Sequence, residues 1–205
     1  RILSKRASQV LEAFPQSFPA KVHAMTTGNP LRRGIASILR HTRNDEGASA
    51  LRILVVGGSL GAKALNETVP EALKGLTIPV EIRHQTGQAM HASTQSSYEA
   101  LGLAADVSPF LEKMDEAYAW ADLAICRAGA MTVSELAAAG LPAILIPFPF
   151  AIDDHQTANA RYLSDEGAAI LMPQTELTAD ALRATVQKLL EQPEVLARMA
   201  ETLRT

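Results

Sequence analysis

The sequence predicts an α/β fold of the doubly wound kind, built on a largely parallel sheet, and three observations predict it. Short apolar runs alternate with helix-length segments along the 205 residues, about six or seven of each. Arg52–Val56 runs straight into Gly57-Gly58-Ser59-Leu60-Gly61-Ala62-Lys63, a strand, a glycine-rich turn and a helix start in succession. Residues 121–160 then read as a β-α-β unit: a buried strand Leu123–Cys126, a turn at Arg127-Ala128-Gly129, a helix from Ala130 to Ala139, and a second buried strand Ala143–Ile146. That helix has to stop where Gly140 supplies a left-handed cap and Pro142 cannot continue it.

Taken in order, Ser4–Phe14 reads as a helix carrying Val10, Leu11 and Phe14, and it ends before Pro15. Lys21–Met25 alternates as a strand does. Asn29-Pro30 starts a turn into a helix Leu31–Leu39, whose first turn would hold Arg32 and Arg33. Cations there oppose the helix dipole, so the pair is either surface charge or the sign of a bound anion. Residues 44–50 are polar and form a linker. After Arg52–Val56, the glycine turn lets a ligand approach the backbone while the helix start presents free N–H groups, a design for holding phosphate. The spacing is neither GxGxxG nor a Walker A loop. The next strand, Pro79–His84, carries Glu81 inside it and has no closing acid, so a nicotinamide enzyme fits poorly.

Gly87–Leu101 is a polar helix, Leu103–Val107 a strand and Glu112–Trp120 a helix. Phe110, on the loop between the last two, either packs in the core or stacks on a flat ring. In the β-α-β unit, Val133, Leu136, Ala137 and Gly140 face the sheet, and Thr132 and Glu135 share another face near the helix start. Glu135 serves there as dipole compensation or as a ligand group. The loop Pro147–Asp154 leads to a helix His155–Ser164, with Asp153 and Asp154 suited to cap it. A strand Ala168–Met172 and helices Ala179–Glu191 and Pro193–Arg204 complete the chain.

A 47% apolar and 20% charged composition is that of a globular chain with a full core, and no apolar run reaches membrane-spanning length. Arg1 in place of an initiator methionine is read as the start of a fragment. The single cysteine, Cys126, lies inside a predicted strand, which excludes an internal disulfide and fits a reducing compartment. The net charge of −3 is uneven, because residues 1–43 hold eight basic side chains against the one acid Glu12. Such a stretch suits phosphates, an anionic membrane or an acidic partner. Without interleaved aromatics it does not suit nucleic acid.

Five segments carry a resemblance. GNPLR at 28–32, GGSLGAKALN at 57–66, SPFLEKM at 108–114, CRAGAMTVSELAAAGLPAILIPFP at 126–149 and DDHQTANA at 153–160 occur together and in order. They resemble the MurG family of peptidoglycan glycosyltransferases, and the likeness covers essentially the whole chain. It implies a GT-B enzyme made of two Rossmann-like domains, of which residues 1–205 form the C-terminal, UDP-sugar-binding one. The acceptor domain and its general base would lie N-terminal to this chain, so no catalytic residue is expected within it. The activity implied is transfer of N-acetylglucosamine from UDP-N-acetylglucosamine to a lipid-diphosphate muramyl-pentapeptide, with inversion.

By matching positions, the resemblance gives Glu135 to the ribose hydroxyls and the Leu111 backbone, beside Phe110, to the uracil edge. Arg32 and Ser59 fall to the diphosphate, with Gly58 in the same turn. Ala130, Met131 and Thr132, continued by Val133 and Ser134, meet the nucleotide through the helix start. Gln156 goes to the sugar hydroxyls, with Asn159 nearby. Arg127 either meets phosphate or props the loop. No Asp-X-Asp pair occurs, so neither a metal nor another cofactor is expected. The expected location is peripheral, on the cytoplasmic face of the bacterial plasma membrane. The alternatives are a nucleotide-sugar-binding subunit working with a separate acceptor-domain partner, or a GT-B hexosyltransferase with another donor.

Overall fold

The structure is a computed structural model and describes residues 3–15, 17–38, 50–58, 62–150 and 154–204. Ser59 and Asp153 lie outside the described residues, as does the predicted linker apart from Ala50.

Two parallel sheets organise the described residues. A small one pairs β1 (Leu11–Glu12) with β2 (Met25–Thr26). The large one holds β3 (Leu51–Val56), β4 (Val80–Gln85), β5 (Ala105–Ser108), β6 (Leu123–Cys126), β7 (Ala143–Leu145) and β8 (Ala169–Leu171). Its spatial order is β5-β4-β3-β6-β7-β8, with every neighbouring pair parallel. The chain winds outward from β3 in one direction and from β6 in the other, so the topology reverses between these two strands. In open α/β sheets the crevice beyond the carboxyl ends at such a point is where ligands bind.

Central strands of a doubly covered sheet must be apolar on both faces, and these are. Leu54, Val56, Ala124, Cys126 and Leu145 point into one core with Tyr118, Val133, Leu136 and Leu163. The alternate residues Ile53, Val55, Leu123, Ile125 and Ile144 point into the other, with Leu65, Val69, Tyr98, Leu182 and Val186. The covering helices are α1 (Lys63–Leu73), α2 (His91–Ala100), α3 (Met114–Trp120), α4 (Ala130–Ala139), α5 (His155–Ser164), α6 (Ala179–Glu191) and α7 (Pro193–Thr202). Gly140 ends α4 in the left-handed conformation, at φ 62°. Cys126 is fully buried, and burial pushes its thiol up to about 12.

The first 38 residues depart from the predicted pattern. Instead of a helix over Ser4–Phe14 there is one short 3-10 turn, Leu3–Lys5, and then β1. The Glu12 carboxylate accepts from the Thr26 hydroxyl at 3.0 Å and from the Phe18 amide at 3.2 Å, contacts that tie this short strand to its neighbours. The predicted strand Lys21–Met25 is a 3-10 turn, Ala20–Val22, with the strand beginning only at Met25. The predicted helix Leu31–Leu39 shrinks to a 3-10 turn, Ile35–Ser37, because Gly34 stands at φ 94°. Arg32 and Arg33 therefore precede a turn rather than opening a helix, and the dipole argument does not apply to them.

Candidate functional site

Beyond the carboxyl ends of β3 and β6 lies a cleft of about 610 Å³. Gly57 and Gly58 enter it from β3, Arg127 and Gly129 from β6, Thr132 from α4, Gln156 from α5 and Gln174 from the 3-10 turn Gln174–Glu176. Gly58 stands at φ 85° with open space where a Cβ would be, so the glycine is there for the turn. Among the described residues, neither helix that starts at the cleft, α1 after Ala62 or α4 after Gly129, has a side-chain cap. Their first N–H groups are thus left to a ligand or water. Lys63 opens α1 and also lines the cleft, paired at 3.7 Å with Glu67 in an exposed contact.

Arg127 is held on several sides. Its Nη1 donates to the carbonyls of Ile146 and Pro147, both at 3.2 Å, and its Nη2 donates to Gln174 Oε1 at 2.6 Å. The guanidinium lies 5.5 Å from the Phe148 ring centroid. Burial among these neutral acceptors lowers its proton affinity. Of its two roles, loop prop and phosphate contact, the geometry establishes the first. Gln156 holds the same loop from the other side: its Oε1 accepts from the Phe148 amide at 2.9 Å, leaving its NH₂ to donate elsewhere. Asn159 is committed to structure, because its buried amide donates to the Ala128 carbonyl at 3.0 Å. At the start of α5, Asp154 accepts from the Thr157 hydroxyl at 2.7 Å instead of capping a backbone N–H.

Glu135 is not among the residues lining this cleft. Its side chain is 3% exposed, so it is not a solvated charge offsetting a dipole. Tyr118 donates to its Oε2 at 3.0 Å, and Arg32 Nε stands 3.2 Å from its Oε1. Asn29 brings Arg32 there: its amide donates to Ser134 Oγ at 3.0 Å and to the Ala130 carbonyl at 3.3 Å. Five residues past the amide, Gly34 turns the chain and Ile35 sinks completely into the core. Val133 is buried against the sheet, whereas Met131 and Phe110 stand exposed. Leu111 packs half-buried at the edge of the core. Among the described residues no three His, Cys, Asp or Glu side chains stand together as a metal site.

The sequence model of the glycosyltransferase family 28 C-terminal domain matches residues 52–204. The chain belongs to this family. Among its relatives is a Methylococcus capsulatus protein named UDP-N-acetylglucosamine–N-acetylmuramyl-(pentapeptide) pyrophosphoryl-undecaprenol N-acetylglucosamine transferase. It is 58% identical over 205 residues, which are 100% of this chain and 57% of the relative. A protein of the same name from Pseudomonas syringae pv. tomato is 49% identical, over 100% of the chain and 58% of its own length. The crystal structure of Acinetobacter baumannii MurG superposes with a TM-score of 0.84 at 44% identity, covering 99% of this chain and 57% of that one. The glycosyltransferase of kitacinnamycin, 22% identical at a TM-score of 0.66, shares the fold over 97% of this chain and 51% of its own. The chain thus spans little more than half the length of the relatives it matches.

Two residues of the site, Tyr118 and Gln174, carried no signal of their own in the sequence, and the long-range role of a third, Asn29, did not show there. Tyr118 and Gln174 meet Glu135 and Arg127 across 17 and 47 residues. Asn29 reads as a turn starter, and its hold on α4 spans more than a hundred residues.

Proposed function

We propose that this chain is the donor-binding part of an inverting hexosyltransferase that takes N-acetylglucosamine from UDP-N-acetylglucosamine. The acceptor in this reading is lipid-linked muramyl-pentapeptide, at the cytoplasmic face of the membrane, in peptidoglycan synthesis. The acceptor site and the general base belong to sequence outside this chain. The observation that carries the reading is the cleft at the topological switch point, where the two uncapped helix starts meet the glycine turn at Gly57 and Gly58.

Departure of UDP builds negative charge on the diphosphate, and fixed N–H dipoles aimed at that charge lower the barrier without reorganising. The starts of α1 and α4 fill this role, with Ala130, Met131, Thr132 and Ser134 offering main chain and hydroxyl groups and Arg32 adding a full charge. Glu135 accepts from the ribose diol, a task suited to a carboxylate with two oxygens. The Leu111 backbone reads the uracil edge beside the exposed Phe110. Gln156, its Oε1 already engaged, donates its NH₂ to a sugar hydroxyl. Ser59 takes its diphosphate role in this reading from the family resemblance alone.

Calorimetry with UDP, UDP-N-acetylglucosamine and UDP-glucose tests this directly. The chain is expected to bind the first two, with the N-acetylglucosamine donor preferred over the glucose donor. Loss of a charge-assisted contact contributes about 1.5–3 kcal/mol, so Glu135→Ala should weaken binding by about tenfold or more. No binding of either uridine nucleotide, or equal affinity of the Glu135→Ala variant, would overturn the reading.

A further inference from the structure

We propose that Arg32 is a specificity-determining residue: it stands over the Glu135 carboxylate and yields it to a nucleoside diphosphate, but not to a nucleoside alone. This rests on the donor-site reading above and adds to it a reason for discriminating between ligands that share the same ribose.

Glu135 Oε2 is occupied by the Tyr118 hydroxyl. Oε1 has no surface open to solvent and no hydrogen bond among the described residues, although Arg32 Nε lies only 3.2 Å away. The guanidinium neutralises this oxygen by proximity without the alignment of a hydrogen bond, so the acceptor capacity of Oε1 is unspent. A buried carboxylate oxygen in that condition is stabilised by any donor that reaches it, and the vicinal hydroxyls of a ribose are such donors.

Of the two groups against the carboxylate, only one can move. Tyr118 is buried on all sides, whereas the Arg32 side chain is 55% exposed. The backbone of Arg32 is held at both ends, by Asn29 on α4 and by Ile35 in the core. The guanidinium can therefore swing on its stem without the loop moving. Displacing it removes a cation from a buried anion, which is costly unless another anion receives it. A diphosphate brings at least two negative charges to the neighbouring helix starts and can take the guanidinium as the diol takes Oε1. A nucleoside has the diol but offers nothing in exchange, so for it Arg32 is only a competitor.

The arrangement makes opposite demands on two ligands, which a purely structural Arg32 would not. With Arg32→Met, NMR titration is expected to show uridine binding at least about threefold tighter than to the wild-type chain. UDP should bind about tenfold or more weakly. Because Arg32 is half-exposed, its competition is also screened by salt. Uridine should bind the wild-type chain more tightly as NaCl rises from about 0.01 to 0.15 M, where the Debye length falls from about 30 to 8 Å. The Arg32→Met variant should lack that trend. Uridine binding that is unchanged or weaker in Arg32→Met, or that weakens with salt in the wild type, overturns the inference while leaving the donor site standing. Failure of the wild-type chain to bind UDP overturns the donor-site reading, and this inference with it.

Discussion

The Tyr118 hydroxyl donates to Glu135 Oε2 at 3.0 Å and joins α3 to α4 behind that carboxylate. Both side chains are almost completely buried. Burial, reinforced by the charge of Glu135, pushes the Tyr118 phenol above the usual tyrosine range, so it remains a donor at every working pH. One carboxylate oxygen is thereby fixed, while the other lies beneath the Arg32 guanidinium.

Tyr118→Phe removes that donor and leaves a buried oxygen unpaired, which costs about 1–3 kcal/mol. Urea denaturation should report this loss of stability, and calorimetry a weaker affinity for UDP. In a Glu135→Gln background the same substitution should cost less, because the oxygen left behind carries no full charge. A double-mutant cycle with no coupling between the two positions would contradict the pairing.

Arg127 joins the β6–α4 turn to the Ile146–Phe148 segment and to Gln174. A lysine cannot reproduce that planar fork, so Arg127→Lys should behave much like Arg127→Met. Either substitution is expected to lower stability by about 1–3 kcal/mol through the carbonyls left unpaired. Because the loop also carries the Phe148 amide that holds Gln156, the preference for UDP-N-acetylglucosamine over UDP should fall several-fold. A preference unchanged in Arg127→Met would separate the prop from sugar recognition.

In the proposed donor site a diphosphate meets two helix starts and the guanidinium of Arg32, and Lys63 and Arg127 also line the cleft. No Asp-X-Asp pair stands ready to bring a divalent ion. UDP affinity should therefore change by less than about twofold between Mg²⁺ and EDTA, a difference under about 0.4 kcal/mol. A steep rise with Mg²⁺ in the calorimeter would show that the ion supplies the charge assigned to the protein.

The winding from β3 to α7 was legible because local and long-range signals agree there. Apolar runs coincide with doubly covered strands, Gly140 and Pro142 stop α4, and His155–Ser164 and Ala179–Glu191 are found at the predicted limits. The first 38 residues were not legible. Their conformation is set by contacts between residues far apart in sequence: Glu12 with Thr26, Asn29 with Ser134, and Ile35 with the core under α4. The same division runs through the site. Gly58, Arg127, Thr132 and Gln156 belong to local motifs, and one cleft brings them together. The helix position of Glu135 left open dipole compensation or a ligand role, and its ribose role came from the family resemblance; its burial and its two partners are properties of the packing.

His84 shows what the sheet tolerates in its interior. The ring is fully buried, with Nε2 3.0 Å from Asn66 Oδ1 and Nδ1 2.9 Å from the Tyr98 hydroxyl. The Asn66 amide nitrogen donates to the Thr86 carbonyl, so Oδ1 faces the ring and Nε2 must carry the proton. Tyr98 then donates to Nδ1, and the neutral ring is satisfied. Burial lowers the imidazole from its ordinary 6.5 to about 3. The folded chain thus binds fewer protons at this position than the unfolded chain between those values. Its contribution to stability is complete above about pH 6.5 and is lost as the pH falls toward 3, amounting to roughly 2 kcal/mol by pH 5. Urea denaturation at pH 7.5 and pH 5 should show this drop in the wild-type chain. His84→Gln, which cannot titrate, should start from a lower stability and lose less of it on acidification. Equal losses in the two proteins would mean that His84 accepts a proton in the folded state.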